Sequence, residues 1–118
     1  MVHEICGDWS IGEHEYSIID CIEVYKWIEE NNLEPEILDV NDIAYKPLKF
    51  INQNSKRYID ADINMPGIVV ANMENPLDKP YRMIDGRRRL LKSLVYLKTD
   101  IPFYVIQYKD IVQFIQHN

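Results

Sequence analysis

The chain is poor in glycine and cysteine, with four of the first and two of the second in 118 residues. Cys6 and Cys21 are spaced neither as a redox Cys-x-x-Cys nor as a zinc-ligand pair, so a disulfide scaffold is excluded and two reduced thiols are expected. Of the three histidines, His3, His14 and His117, none stands at ligand spacing from a cysteine or carboxylate, and no metal is assigned to them. No apolar run approaches the roughly 20 residues of a membrane-spanning helix. The first residues also lack the basic-then-apolar pattern of an export signal. A cytoplasmic protein with no membrane partner is expected. Repeats, linkers and low-complexity tracts are missing too.

A sizeable core is available. Hydrophobic residues make up 47% of the chain, with eight Tyr, three Phe and two Trp, and the length suits a single domain over 1–118. The net charge of −6 is unevenly spread. Residues 1–55 carry three Lys/Arg against twelve Asp/Glu, whereas residues 80–98 carry six cations and one anion. One concentrated basic patch on an acidic chain suits a small anionic ligand better than a nucleic-acid track, which needs a broad basic face.

The chain is read as an arm and helix (1–35), a middle stretch (36–108) and a short terminal helix (109–118). Trp9 in the arm reads as cover for the core or as a partner contact. Ile18, Cys21, Ile22, Tyr25 and Ile28 recur at helical spacing over 16–32, with Ser17 and Asp20 fitting a capping box and Asn31-Asn32 a stop. Val24 and Trp27 lie on a second flank, which reads as buried surface or, less economically, as a partner face. Ile37, Leu38, Val40 and Ile43 make a short strand entering a turn at Asn41-Asp42, and helix is expected over 47–63. The β-branched run from Met65 to Asn72 predicts a central strand, followed by an antiparallel partner at Tyr81–Ile84. Ile101–Ile106 reads as a further strand, and Asp110 as the cap of a final helix with Ile111, Phe114 and Ile115 facing inward.

The most informative stretch follows Ile84. Asp85-Gly86 is a turn pair, and Leu90, Leu91, Leu94, Val95 and Leu97 then recur at helical spacing. A helix beginning near Gly86 has Arg87, Arg88 and Arg89 in its first turn, with Lys92 one turn on. That is electrostatically unfavourable, because the helix start already carries free N–H groups and the positive end of the dipole, and each cation there costs about 0.3–1 kcal/mol. A bound anion would remove the conflict. Pairing with the acidic remainder of the chain would remove it equally well.

Asp-Gly-x-x-Arg at a strand-to-helix turn, with Ile-Val-Val on a preceding strand, resembles the ParB/sulfiredoxin superfamily over residues 36–108. The resemblance implies a compact α+β domain, a small mixed or antiparallel sheet with packed helices. It also implies nucleotide phosphates held at the turn by Asp85, Gly86, Arg87, Arg88, Arg89 and Lys92, with Ser55 and Lys56 on the helix before the central strand. The family's turns read Gly-Glu-Arg-Arg or Gly-Cys-His-Arg where this chain has Gly86-Arg87-Arg88-Arg89. Sulfiredoxin reduction needs the cysteine that Arg87 replaces, and hydrolysis of the ParB type uses the glutamate that Arg87 also replaces. What the resemblance leaves is a regulatory or accessory domain binding a nucleotide, with magnesium if any arrives, or another phosphate anion. Two alternatives stand beside it. One is a nucleotide hydrolase or small-molecule kinase using Asp85 or Asp42. The other is an interaction module whose arginines dock on an acidic protein or, less favourably, on nucleic acid.

Overall fold

The computed structural model describes residues 17–45, 64–73, 75 and 77–117. Among these the elements run β1 (Ser17–Ile19), α1 (Cys21–Glu30), β2 (Glu36–Asp39), β3 (Ile43–Ala44), β4 (Gly67–Ala71), β5 (Tyr81–Asp85), α2 (Arg87–Val95), β6 (Asp100–Gln107), α3 (Tyr108–Ile111) and β7 (Ile115–His117). The helix expected over 47–63, together with Ser55, Lys56, Cys6, Trp9, His3 and His14, lies outside the described residues. No helix among the described residues is long and apolar enough to cross a membrane.

Five strands form one mixed sheet in the order β2-β6-β4-β5-β3. β4 pairs antiparallel with β5 and parallel with β6, β2 pairs antiparallel with β6, and β3 parallel with β5. The expected central strand is therefore central, and every residue of Gly67–Ala71 is buried. A strand covered on both faces reads as a continuous apolar run instead of an alternating one. On one face Ile68, Val70, Ile84 and Ile106 pack with Cys21, Val24 and Ile28 of α1 and with Ile111 of α3. On the other, Val69, Met83 and Phe103 pack with Leu90 of α2 and with Leu38, Val40 and Ile43. The domain is thus a mixed α/β layer structure, with its sheet between α1 and α2.

Several local expectations are corrected. The first helix begins at Cys21, and Asp20 is itself the N-cap, accepting from the Ile22 N–H at 3.0 Å, so there is no Ser17–Asp20 capping box. Residues 17–19 are instead a strand, with Ser17 opposite His117 and Ile19 opposite Ile115 in an antiparallel pair. The buried face of α1 is Cys21, Val24 and Ile28, while Ile22 is exposed. The inward stripe is rotated by one flank from the expected one, because Ile18 belongs to the strand and does not set the helical phase. Trp27 on that flank meets Phe114 edge-to-face, ring centroids 6.4 Å apart, so it packs on its own chain. Asp110 lies in the first turn of α3 without capping it, and the N-cap is Gln107. Ile115 opens β7 and does not continue a helix.

Both long helices stop with a left-handed residue. In α1, Asn32 (φ 52°) and Leu33 donate to Glu29 O and Ile28 O, each at 3.1 Å. In α2, Leu97 (φ 60°) and Lys98 donate to Leu94 O and Ser93 O, each at 2.9 Å. Both are Schellman stops. Asparagine tolerates the conformation, whereas leucine carries a Cβ clash costing about 1–2 kcal/mol. Leu97 is 90% exposed, so its side chain gains no burial in return. Leu97→Gly is expected to stabilise the domain by about 0.5–1 kcal/mol, after the extra unfolded-state entropy of glycine is subtracted. A urea melt with an unchanged or lower midpoint would contradict this.

Candidate anion site at the β5–α2 turn

The turn is built by a bulge and two glycines. Ile68 of β4 stands opposite Asp85 and Val69 opposite Met83, which leaves Ile84 as the extra residue of β5. The bulge puts Asp85 in the row of Ile68, on the α1 side of the sheet, although the helix it introduces packs on the opposite side. Gly86 then takes φ 111° and ψ 14° as the N-cap of α2. A Cβ on Gly86 would lie 3.1 Å from the Cα of Gly67, and one on Gly67 would lie 2.5 Å from the Asp85 carbonyl oxygen. The turn can cross the start of β4 because both positions lack side chains.

Gly86 O accepts the first helical bond of α2, from the Leu90 N–H at 2.9 Å. The N–H groups of Arg87, Arg88 and Arg89 precede that bond, and Gly86, the N-cap, has no side chain with which to cap them. They face the same end of the helix as its positive dipole pole.

Beside this helix start lies a cluster of three side chains. The Tyr25 hydroxyl of α1 donates to Asp85 Oδ2 at 2.5 Å, across 60 residues of sequence. Arg89 Nη1 donates to the Pro66 carbonyl at 3.0 Å, and its guanidinium also lies by the Tyr25 hydroxyl. Burial first, and then the Asp85 carboxylate, push the tyrosine proton affinity well above its ordinary value, with Arg89 acting in the opposite direction. Ser93, buried one turn beyond, returns its hydroxyl to the Arg89 carbonyl at 2.8 Å.

The expected site residues divide accordingly. Asp85, Gly86 and Arg89 come together at the turn. Arg88 and Lys92, both half-buried, lie four residues apart on α2 and so share a face. Arg87 opens the helix. Asp42 is exposed beside β3, whose Ile43 pairs with Tyr81 at the far end of β5. Four residues of strand, about 13 Å, separate that end from Asp85. Tyr25, Pro66 and Gly67 were not among the expected site residues. A glycine opening a β-branched run was the one signal available, since it marks a close backbone approach.

Two outcomes follow. Gly86→Ala forces a Cβ into a left-handed turn against Gly67 and is expected to cost about 1–3 kcal/mol in a denaturation melt, where a loss under about 0.5 would refute the close approach. Tyr25→Phe removes a charge-assisted hydrogen bond and is expected to cost about 1.5–3 kcal/mol at neutral pH. Tyrosine in the unfolded chain loses its proton near pH 10, while the folded state keeps it to higher pH. The folded state therefore binds more protons above that pH, and stability falls as pH rises. Since Tyr25→Phe lacks this component, the stability gap between the two proteins should narrow above about pH 10, and a constant gap would refute the assignment. No family model matches this chain, and neither the curated proteins nor the solved structures contain a significant relative.

Proposed function

We propose that this chain is a small ParB/sulfiredoxin-like domain that binds a nucleotide or another phosphate anion at the turn between β5 and α2, in a regulatory or accessory role. One observation carries the reading: α2 starts on Gly86, an N-cap with no capping side chain, and has three arginines in its first turn. Uncapped N–H groups and cations at one helix end repel each other's positive charge unless an anion lies between them. The order of strand, Asp85-Gly86 turn and helix beside a β-branched central strand supports the family likeness. Within the arginine trio, Arg89 is taken up by Pro66 and the Tyr25–Asp85 pair, so it shapes the site. Arg88 and the backbone N–H groups are the natural ligands for the anion.

Asp85 suits a catalytic base less well than a positioning group, because its carboxylate already accepts a hydrogen bond from the Tyr25 hydroxyl. Turnover through Asp42 is disfavoured by its distance from the turn.

Thermal shift and calorimetry with ATP, CTP, GTP and ADP, with and without magnesium, test the reading. Stabilisation by at least one nucleotide is expected, with affinity falling roughly tenfold to a hundredfold in Arg88→Ala. Salt-sensitive binding to an acidic protein or to DNA, without any nucleotide response, would overturn it.

A further inference from the structure

The surface around α1 is strongly acidic. Residues 21–45 carry seven Asp/Glu against one lysine, Lys26, and that lysine already pairs with Glu23 at 3.5 Å. The last turn of α1 holds Glu29 and Glu30 and no basic residue, so carboxylates stand at the negative end of the helix dipole. Beside this end lies an open groove of about 440 Å³, with Tyr25, Ile28 and Tyr104 along its walls and Glu29 and Glu34 on its rim. The apolar surface continues beyond Tyr104. Leu38 and Ile101 stand opposite each other and pack on the α2 side of the sheet, so the alternation of β2 and β6 turns Ile37 and Tyr104 to the α1 side. Ile37 lies opposite Pro102, two residues before Tyr104, which makes Ile37 and Tyr104 diagonal neighbours about 7–8 Å apart. Ile37 is 68% exposed, and β2 is an outer strand whose far edge meets no other strand among the described residues.

We propose that this groove docks an extended basic segment of a partner protein, an arginine or lysine with an apolar residue two positions away. The charged side chain lies between Tyr25 and Tyr104 and reaches Glu29 and Glu34, while the apolar side chain covers Ile37. Each part answers a feature of the groove. A cation over a tyrosine face is attracted by the ring quadrupole. Carboxylates only accept hydrogen bonds, and guanidinium and ammonium groups only donate them. Positive charge also relieves the crowding of carboxylates at the end of α1. A free polyamine would satisfy those carboxylates and leave Ile37 uncovered. Two residues of extended chain span about 7 Å, which matches the separation of Ile37 from Tyr104. The same acidic surface turns away nucleic acid and other polyanions. The inference is independent of the anion-binding reading, which concerns the start of α2.

Amide NMR of the full chain, titrated with acetyl-Leu-Arg-Leu-Arg-Leu-amide, the matching glutamate peptide and spermidine, tests the assignment. The arginine peptide should shift the amides of Glu29, Glu34, Ile37 and Tyr104, and bind about tenfold more tightly than either of the others. Its affinity should fall as salt rises from about 50 to about 300 mM. Glu29→Gln with Glu34→Gln, both exposed, should weaken it about fivefold or more, and so should Ile37→Thr, whereas Tyr104→Phe should retain it. Failure of the arginine peptide to bind, equal binding of the two peptides, or shifts confined to other surfaces would overturn the proposal. So would an affinity unmoved by the glutamine pair. Spermidine binding as tightly as the arginine peptide would give the groove to small polycations and overturn the protein segment.

Discussion

Two bare α-carbons, at Gly67 and Gly86, let the chain pass from β5 into α2 across the beginning of β4. A Cβ on Gly67 would come within 2.9 Å of the Phe103 ring and closer still to the Asp85 carbonyl. This approach sets where α2 begins and which way its first N–H groups point. Phe103, opposite Gly67 in β6, closes the same spot from the α2 side of the sheet.

The bulge at Ile84 contributes the second constraint. Without it the strict alternation of β5 would send Asp85 to the α2 side, onto its own following helix. With it, Asp85 meets Tyr25 of α1 while α2 packs on the reverse face. A buried tyrosine hydroxyl without a partner costs about 1–3 kcal/mol, and a buried carboxylate more. Each satisfies the other here. The cluster thereby ties α1 to the end of β5, 60 residues further along the chain. Arg82, fully buried two residues before Ile84, adds a guanidinium to the α1 side of the same strand.

Much of this was legible in the sequence wherever the information was local. The β-branched run, the Asp-Gly pair and the leucine spacing of α2 each carry their conformation in adjacent residues, and β4, β5, α2 and β6 follow them closely. The terminal pairing of β1 with β7 was not legible. Three-residue strands have no period to read, and their partners are nearly the whole chain apart. Assigning Ile18 to the helix then placed Ile22, which is exposed, on the expected inward face, while the flank of Val24, read as buried surface, is buried. Tyr25 was read as one more apolar residue of a helix. Its hydroxyl became meaningful only when the bulge brought Asp85 beneath it, and no spacing rule reaches across 60 residues.

The arginines show most clearly what three-dimensional placement adds. In sequence they are equivalent, three cations repelling one another at the positive end of a dipole. In the fold Arg89 turns to a backbone carbonyl and a tyrosine–aspartate pair, which neutralises part of the conflict from within. Among the described residues no carboxylate pairs with Arg88, and the N-cap of α2 is a glycine with no capping side chain. The protein's own groups thus resolve part of the charge imbalance. The cost of cations at a helix start, about 0.3–1 kcal/mol each, is small against a domain stability of several kcal/mol, so the fold can carry it without a ligand.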